Sequence, residues 1–182
     1  RTPFDGEPAT EKTEVWFFYD DQNVYVGANL YDSEVDKIDL SINRKDVWSD
    51  TDYLIVYFDT YYDKTNCYYF GVNPGGAKLD GKFYNDEWND ASLDPIWDVK
   101  TKLHGNKWSV EMKIPLSQLR ISDSQLEKWG FNVYREIKRN NEQVYFYPNP
   151  RGSKGFVSLF GDLYGFSDIK PSPRFGLLPY VV

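Results

Sequence analysis

Two apolar runs separated by a polar turn stand at the centre of the pattern of hydrophobic and polar positions. Segments 53–58 and 67–72 are rich in aromatic and β-branched side chains, which suit a pleated, half-buried surface. The polar segment 59–66 lies between them, and N-P-G-G at 73–76 follows the second run as a signal that ends a strand. This pattern predicts a long β-hairpin.

Other alternating segments predict further strands. Segments 13–18 and 24–30 flank the polar turn D-D-Q-N and form a second predicted hairpin. Segment 108–114 (W-S-V-E-M-K-I) alternates strictly, so its four apolar residues share one face and its polar residues point to water. Segments 96–103 and 143–147 are weaker versions of the same pattern.

The late segment 129–139 also alternates, so every second residue is predicted to point to the same face of a strand. Four residues share that face: Phe131, Val133, Arg135 and Ile137. Three tryptophans lie inside alternating segments and are predicted to pack in the core: Trp16, Trp108 and Trp129.

The remaining stretches predict connections. Segment 40–44 is a candidate for a short strand, and segments 115–119 and 122–128 are candidates for short helical turns. Segment 76–94 is interrupted by Gly, Asn and Asp and is predicted to be a long polar loop, a kind of segment that often carries function. Two aromatic residues in this loop are candidate contact residues: Tyr84 and Trp88.

The succession of short strands and turns decides the fold class. No convincing helix of about ten residues is present, so an all-β architecture is favoured over a mixed one. We expect an antiparallel β-sandwich with long loops and at most short helical turns.

The net charge limits the classes of partner, and the cysteine content limits the chemistry that the chain can supply. A formal net charge of −7 argues against nucleic acid, because a phosphate backbone requires clustered Lys and Arg. The single cysteine, Cys67, lies in an apolar run and is predicted to be a buried, unreactive thiol. The sequence contains no apolar run long enough for a transmembrane helix.

Four segments together resemble the family 9 carbohydrate-binding modules. These are W-S-D-T-D-Y-L-I-V-Y-F-D at 48–59, Y-F-G-V-N at 69–73, W-S-V-E-M-K-I-P at 108–115 and W-G-F-N-V-Y-R at 129–135. They occur in the family's order over most of residues 13–147. The resemblance implies a β-sandwich that binds sugars and has no catalytic activity.

Shorter motifs are similar to one branch of that superfamily, found in outer-membrane proteins of the Bacteroidota. They are G-E-P-A-T-E-K-T at 6–13, R-K-D at 44–46, V-N-P-G-G at 72–76 and the closing L-P-Y-V. In that branch the module precedes a β-barrel. The resemblance implies a module over 1–160, a linker over 161–182 leading to a barrel, and a location in the cell envelope, periplasmic or at the outer membrane.

The resemblance also implies a sugar site. An aromatic residue before the central strand stacks on the sugar in the family, and Trp48 matches it, while Asn73 matches an amide that binds hydroxyl groups. Tyr145 or Tyr147 would supply the second aromatic ring; the family often has Trp near Tyr145. Arg135 would add a planar hydrogen-bonding fork. The structural alternatives are that Trp48 packs at the sheet edge and that Asn73 serves a turn.

Related modules often hold structural calcium, an ion that prefers several oxygen ligands. Three loop carboxylates are therefore the candidate ligands: Asp86, Asp90 and Asp94. The spacing matches no EF-hand, and a solvated acidic loop is the alternative.

The predicted function is non-catalytic binding of an oligo- or polysaccharide. The alternative is a scaffold or gating domain of a barrel protein without affinity for sugar. A hydrolase has the least support, because no nucleophile motif or cluster of metal-binding histidines is present. A binding module should show exposed aromatic rings across a cleft, whereas a scaffold should show an apolar patch without one.

Overall fold

Two antiparallel sheets pack face to face in a computed structural model that describes residues 1–122, 127–150, 152–166 and 169. The predicted β-sandwich is therefore confirmed. Helical structure in the described residues is limited to four single turns, Val35–Lys37, Leu116–Gln118, Lys138–Asn140 and Val157–Leu159. None of these turns is long or apolar enough to cross a membrane.

The strands follow the predicted alternation closely. Over the described ranges they are β1 Thr13–Tyr19, β2 Asn23–Tyr31, β3 Tyr53–Asp59, β4 Cys67–Val72, β5 Lys78–Tyr84, β6 Trp88–Asp90, β7 Asp98–His104, β8 Lys107–Pro115, β9 Lys128–Ile137, β10 Glu142–Tyr145 and β11 Gly161–Tyr164. The predicted central hairpin corresponds to β3 and β4, and the predicted first hairpin to β1 and β2.

The strand order defines a small sheet and a large sheet. The small sheet has four strands in the order β1-β2-β8-β7. The large sheet has seven, in the order β10-β9-β3-β4-β5-β6, with β11 pairing with the beginning of β9 and β10 with its end. Strands β1 and β10 are thus end strands of opposite sheets, and residues of both line an opening at one side of the sandwich.

The core between the sheets is built from the inward residues of each strand. In β8 the four apolar residues of the predicted face are all buried, while Glu111 and Lys113 are exposed. Trp108 and Trp129 lie in this core as predicted. The prediction for Trp16 is wrong: the residue is 43% exposed, because Val15 and Phe17 supply the inward face of β1.

Strand β3 is buried on both faces. Leu54, Val56 and Phe58 point into the core between the sheets, whereas Tyr53 and Tyr57 belong to a second apolar cluster on the outer face of the large sheet. That second cluster is covered in part by the connection before β3 and by residues 156–160. The large sheet is therefore covered on two sides.

Two predicted connections differ in the structure. Segment 40–44 forms no strand. Segment 76–94, predicted to be a loop, contains the antiparallel strands β5 and β6. The glycines and polar residues of this segment are typical of a loop. Gly81 nevertheless lies in β5, and glycine is needed there because neighbouring atoms are close: a Cβ would be 2.6 Å from the Asp90 carbonyl oxygen and 2.6 Å from the Tyr69 hydroxyl.

The last elements extend the sandwich beyond residue 160. Strand β11 joins the large sheet, and the buried Phe166 packs on Trp129 at 4.9 Å between ring centroids. The described core therefore extends past the predicted boundary at 160, and Ile169 also packs against it. Residues 167, 168 and 170–182 of the predicted linker lie outside the described residues. The helical turn predicted at 115–119 is confirmed, whereas residues 123–126 of the turn predicted at 122–128 are outside the described ranges.

The single thiol has the predicted environment. Cys67 is buried in β4, and this burial raises the pKa of its thiol well above the ordinary value. The thiolate is the reactive form of cysteine, so this residue is suited to packing rather than to chemistry.

We expect Gly81→Ala to destabilise the protein by about 1–3 kcal/mol, because the added methyl group meets a backbone carbonyl that cannot move away freely. Gly27→Ala is the matched control within a strand, since its Cβ would have only Trp16 at 4.0 Å. Urea unfolding of both variants measures the difference. Equal stability of the two variants would show that β6 does not approach β5 as closely as described.

Candidate functional site

A concave cavity of about 400 Å³ lies on the outer face of the large sheet, and we call it the aromatic cleft. Strands β3, β4 and β5 form its floor, the connection before β3 forms one wall, and β6, β9 and β10 contribute further walls. Its lining residues are Asp46, Trp48, Ile55, Tyr57, Tyr69, Leu79, Phe83, Asn89, Ala91, Tyr134, Gln143 and Tyr145.

Trp48 forms an aromatic platform at one wall of the cleft. Its ring stacks on Tyr53, with centroids 4.4 Å apart and planes inclined by 24°, and lies 6.2 Å from the ring of Tyr134. Trp48 is nevertheless 51% exposed, whereas Tyr53 is fully buried. One face of the indole is thus supported by protein and the remaining surface is available to a ligand.

Hydrogen bonds between the connection and the sheet set the position of this platform. The Asp80 backbone N–H of β5 donates to Oδ1 of Asp46 at 2.9 Å, and the Lys45 ammonium lies 3.2 Å from Oδ2 of Asp80. On the other side of Trp48, the Ser49 backbone N–H donates to the Tyr53 hydroxyl oxygen at 3.0 Å. Contacts on both sides of the tryptophan therefore hold it against the sheet.

The anchor of this connection is the fully buried carboxylate of Asp80. Burial raises the pKa of Asp80, while a hydrogen bond from the Trp97 indole N–H, at 2.8 Å, and the Lys45 ammonium act in the opposite direction. A buried carboxylate requires such partners. Replacing Lys45 or Trp97 would therefore leave the charge of Asp80 without one of its partners and loosen this wall of the cleft.

Tyrosines of β9 and β10 form the opposite wall. The rings of Tyr134 and Tyr145 are 5.0 Å apart, and the Tyr134 hydroxyl donates to Glu136 at 3.0 Å. Burial raises the pKa of Tyr145 to about 12, and it also raises the pKa of Tyr69 on the floor to about 12. These phenols therefore stay protonated at neutral pH and can donate hydrogen bonds.

Polar side chains stand at the rim of the aromatic cleft. Asn89 accepts a hydrogen bond from the Tyr69 hydroxyl at 3.2 Å and is exposed at the β6 edge. Gln143 is exposed on β10, and Asp46 lies beside Trp48. An apolar aromatic surface with a few amide and carboxylate groups at its rim suits a ligand that has both an apolar face and several hydroxyl groups.

The structure brings together two of the sequence-predicted site residues, Trp48 and Tyr145. Arg135 lies elsewhere, on the inward face of β9. It is 2% exposed and donates to the Lys12 carbonyl at 3.0 Å, the Thr13 hydroxyl at 2.9 Å and the Tyr31 carbonyl at 2.6 Å. The expected role of Arg135 beside Trp48 is therefore corrected, since alternation along β9 places it on the opposite face from Tyr134.

Asn73 is also absent from the cleft. It is fully buried, its Nδ2 donates to the Ser41 carbonyl at 3.0 Å, and its Oδ1 accepts the Ala77 backbone N–H at 2.8 Å. Both ends of the amide are thus occupied within the fold, and the structural alternative, a turn residue, describes its position.

The other predicted aromatic contacts lie outside the cleft as well. Tyr147 points toward the core, with its ring 5.4 Å from that of Phe131. Tyr84 and Trp88 form a cross-strand pair in the β5–β6 hairpin, with centroids 5.8 Å apart. Trp88 is 61% exposed, but neither residue of that pair lines the aromatic cleft.

The three predicted calcium ligands are not gathered in one place. Asp86 accepts backbone N–H groups of Phe156 at 3.0 Å and Ser158 at 2.8 Å, so it fastens a later connection. Asp90 accepts the Ser92 backbone N–H at 2.9 Å, and the exposed Asp94 contacts the Lys45 ammonium. The described part of the chain contains no group of three or more acidic, histidine or cysteine side chains arranged to hold a metal ion.

Sequence reasoning missed several lining residues of the cleft, above all Tyr57, Tyr69 and Tyr134. A usable signal was present in β3, where both faces of the strand are apolar or aromatic. A strand that is apolar on both faces requires cover on both. The outward tyrosines therefore indicated a second apolar layer.

Three solved structures have the same fold as this chain. Two are of a family 9 carbohydrate-binding module from Caldicellulosiruptor kristjanssonii, solved with glucose and with cellotriose. Each matches with a TM-score of 0.59 and 18% identity, and the match covers 84% of each of those chains. It covers 96% of this chain for the glucose complex and 97% for the cellotriose complex.

The third is a candidate carbohydrate-binding protein from Bacteroides uniformis, with a TM-score of 0.68 and 12% identity over 88% of this chain and 81% of that one. No protein-family profile and no curated protein matches the sequence significantly. At these identities the likeness shows the fold, which is that of the family 9 modules.

We expect Asp86→Asn to lower the free energy of unfolding by about 1 kcal/mol, because one carboxylate oxygen at the junction with Ser158 is lost. Asparagine is chosen because Asp86 has a positive φ of 71°, which asparagine tolerates. The loss should be equal in calcium and in chelator, measured by thermal unfolding. The exposed Asp94→Asn is the control, and a calcium-dependent stabilisation abolished only by Asp86→Asn would contradict this account.

Proposed function

We propose that this domain binds carbohydrate through the aromatic cleft without altering it chemically. The observation that carries the proposal is the half-exposed Trp48 ring, held against Tyr53 on one wall while Tyr145 lies on another. A pyranose has an apolar face formed by C–H groups, and an aromatic ring is its natural partner. The hydroxyl groups around the sugar ring then meet the polar rim.

The geometry of the cleft suggests a separate role for the aromatic platform and for the polar rim. Trp48 stacks on the apolar face of a sugar, and it is prearranged for this by its contacts with the sheet, so little conformational entropy is lost on binding. Asn89 and Gln143 at the rim, with the Tyr145 hydroxyl, are placed to bind hydroxyl groups. Large aromatic residues commonly contribute most of the binding energy at such sites.

The absence of a carboxylate pair in the cleft supports binding without catalysis. Glycoside hydrolysis uses two carboxyl groups about 5–10 Å apart that flank the scissile bond. Among the described lining residues of the cleft, Asp46 is the only acidic one, and its Oδ1 already accepts a backbone N–H. The named ligands of the neighbouring Caldicellulosiruptor structures, glucose and cellotriose, give the first sugars to test.

We further propose that this binding takes place at the cell envelope, in a protein of the Bacteroidota whose barrel follows the domain. The support is the resemblance of the short motifs at 6–13, 44–46 and 72–76 to that branch. The alternative role, a scaffold or gating domain, is favoured by one feature. The connection that carries Trp48 also exposes Leu40, Ile42 and Val47, an apolar surface that suits contact with protein.

The direct test is Trp48→Ala, which removes the stacking platform. We expect the affinity for cellotriose, or for whichever glycan of a panel binds the wild type, to fall by at least about tenfold, or about 1.4 kcal/mol. Isothermal titration with and without calcium measures it. Trp16→Ala is the matched control, because Trp16 is also half-exposed, at 43%, but lies on the small sheet.

Affinity that Trp48→Ala leaves unchanged would place the site outside the aromatic cleft, and equal loss in both variants would contradict a specific role of Trp48. No saturable binding by the folded wild type across the panel would sink the carbohydrate proposal and favour the scaffold role.

The affinity should not change between about pH 6 and about pH 9 through the cleft phenols. The pKa values of Tyr145 and Tyr69 are each raised to about 12, so both keep their protons below that value and lose them only as the pH rises through it. Titrations at several pH values measure this. A loss of affinity with a midpoint near pH 8 would show that a group other than these phenols controls binding.

A further inference from the structure

A second cavity, of about 270 Å³, opens on the other side of β9, and we call it the edge cavity. It lies at one side of the sandwich, between the end strand β1 of the small sheet and β9 and β10 of the large sheet. Its walls are apolar and include Val15, Phe17, Val133 and Val144. The aromatic cleft and the edge cavity are therefore separated by the thickness of one sheet.

The polar end of the edge cavity is formed by Thr13 and Arg135. Arg135 is 2% exposed, and its terminal nitrogens donate to two backbone carbonyls and to the Thr13 hydroxyl. Its Nε has no hydrogen-bond partner among the described residues, and Arg135 forms no salt bridge with any of them. A buried guanidinium without a direct carboxylate partner is unusual, because buried charges are normally paired.

The nearby carboxylates are occupied by other groups. Asp32 and Glu11 each lie 2.9 Å from the Arg139 guanidinium, and Glu142 lies 3.1 Å from that of Arg1. These acids act on Arg135 only at longer range, and burial of the guanidinium lowers the pKa of Arg135.

Oδ1 of Asp52 accepts the Lys138 backbone N–H at 2.8 Å, and its buried Oδ2 has no hydrogen-bond partner among the described residues. Asp52 nevertheless lies beyond salt-bridge distance of Arg135 and acts on it only at longer range. The buried positive charge of Arg135 therefore lacks a partner in direct contact, and the side chain lines a cavity with room for one.

We propose that the edge cavity binds a small apolar carboxylate, with its hydrocarbon part against Val15, Phe17 and Val133 and its carboxylate facing the guanidinium of Arg135. The Thr13 hydroxyl accepts from Arg135, so its own proton is available to the same carboxylate. This site is independent of the carbohydrate proposal, since the two cavities share no lining residue.

The size and lining of the cavity fix the ligand class. A volume of about 270 Å³ is slightly below the roughly 300 Å³ at which ligand pockets usually begin, so the ligand is small. Aliphatic and aromatic walls favour a hydrocarbon body, and one cationic group at one end favours a single anionic head. Octanoate is the probe, and octan-1-ol, which keeps the chain but lacks the charge, is its matched control.

The experiment follows the Nε–H resonance of Arg135 in ¹H–¹⁵N spectra of the full chain during titration with octanoate. We expect a saturable shift of that resonance and a weaker response to octan-1-ol by about tenfold or more. Val144→Phe, at a half-buried edge-strand position, should fill the cavity and weaken octanoate binding by about tenfold while the spectrum stays that of a folded protein.

Arg135→Lys should remove the preference for octanoate over octan-1-ol, and Val144→Phe keeps the test decisive if Arg135→Lys does not fold. Cellotriose binding should be the same with and without octanoate, which separates the two sites. The proposal is overturned by an absent or unsaturable shift at Arg135, by equal affinity for octan-1-ol, or by octanoate binding that Val144→Phe leaves unchanged.

Discussion

Burial of the central strand β3 on both faces is the constraint on which the rest of the molecule depends. A sheet whose middle strand is apolar on both sides needs two covers. The small sheet supplies one, through contacts such as Phe17 with Phe58 at 5.8 Å. The other is assembled from connections, with Trp48 on Tyr53 and Phe156 on Tyr57. Since connections cover less completely than a sheet, a gap remains, and that gap is the aromatic cleft.

Strand β9 contributes side chains to both faces of the large sheet. Its alternate residues turn to opposite sides, so Tyr134 contributes to the outer cleft while the next residue, Arg135, enters the space between the sheets. The same alternation in β10 sends Tyr145 outward and Val144 inward. Two cavities of different chemistry, one aromatic with a polar rim and one apolar with a cationic end, are the direct result.

The sequence predicted the strands well where polar and apolar residues alternate, as in β8, because burial of one face produces that alternation. It did not predict β5 and β6. Gly81 is needed in β5 because Tyr69 and Asp90 lie against it, and no local sequence pattern reveals that contact. Within the candidate site, exposure could be predicted for Trp48 but burial of Asn73 could not, because its partners Ser41 and Ala77 are brought together by the folded chain. Arg135 was different: strict alternation already placed it with Phe131.

The attachment of the Trp48 platform has an evolutionary consequence. Residues 39–52 lie on the large sheet without joining its ladder, and they are fastened by side chains such as Asp46 and Lys45. Point changes at exposed positions there, such as Ile42 and Val47, alter the surface beside Trp48 while every strand keeps its register, whereas Lys45 and Asp46 are constrained by the buried Asp80. A lineage can therefore vary this surface with little loss of folding stability, in the way that antibody loops vary on a constant framework.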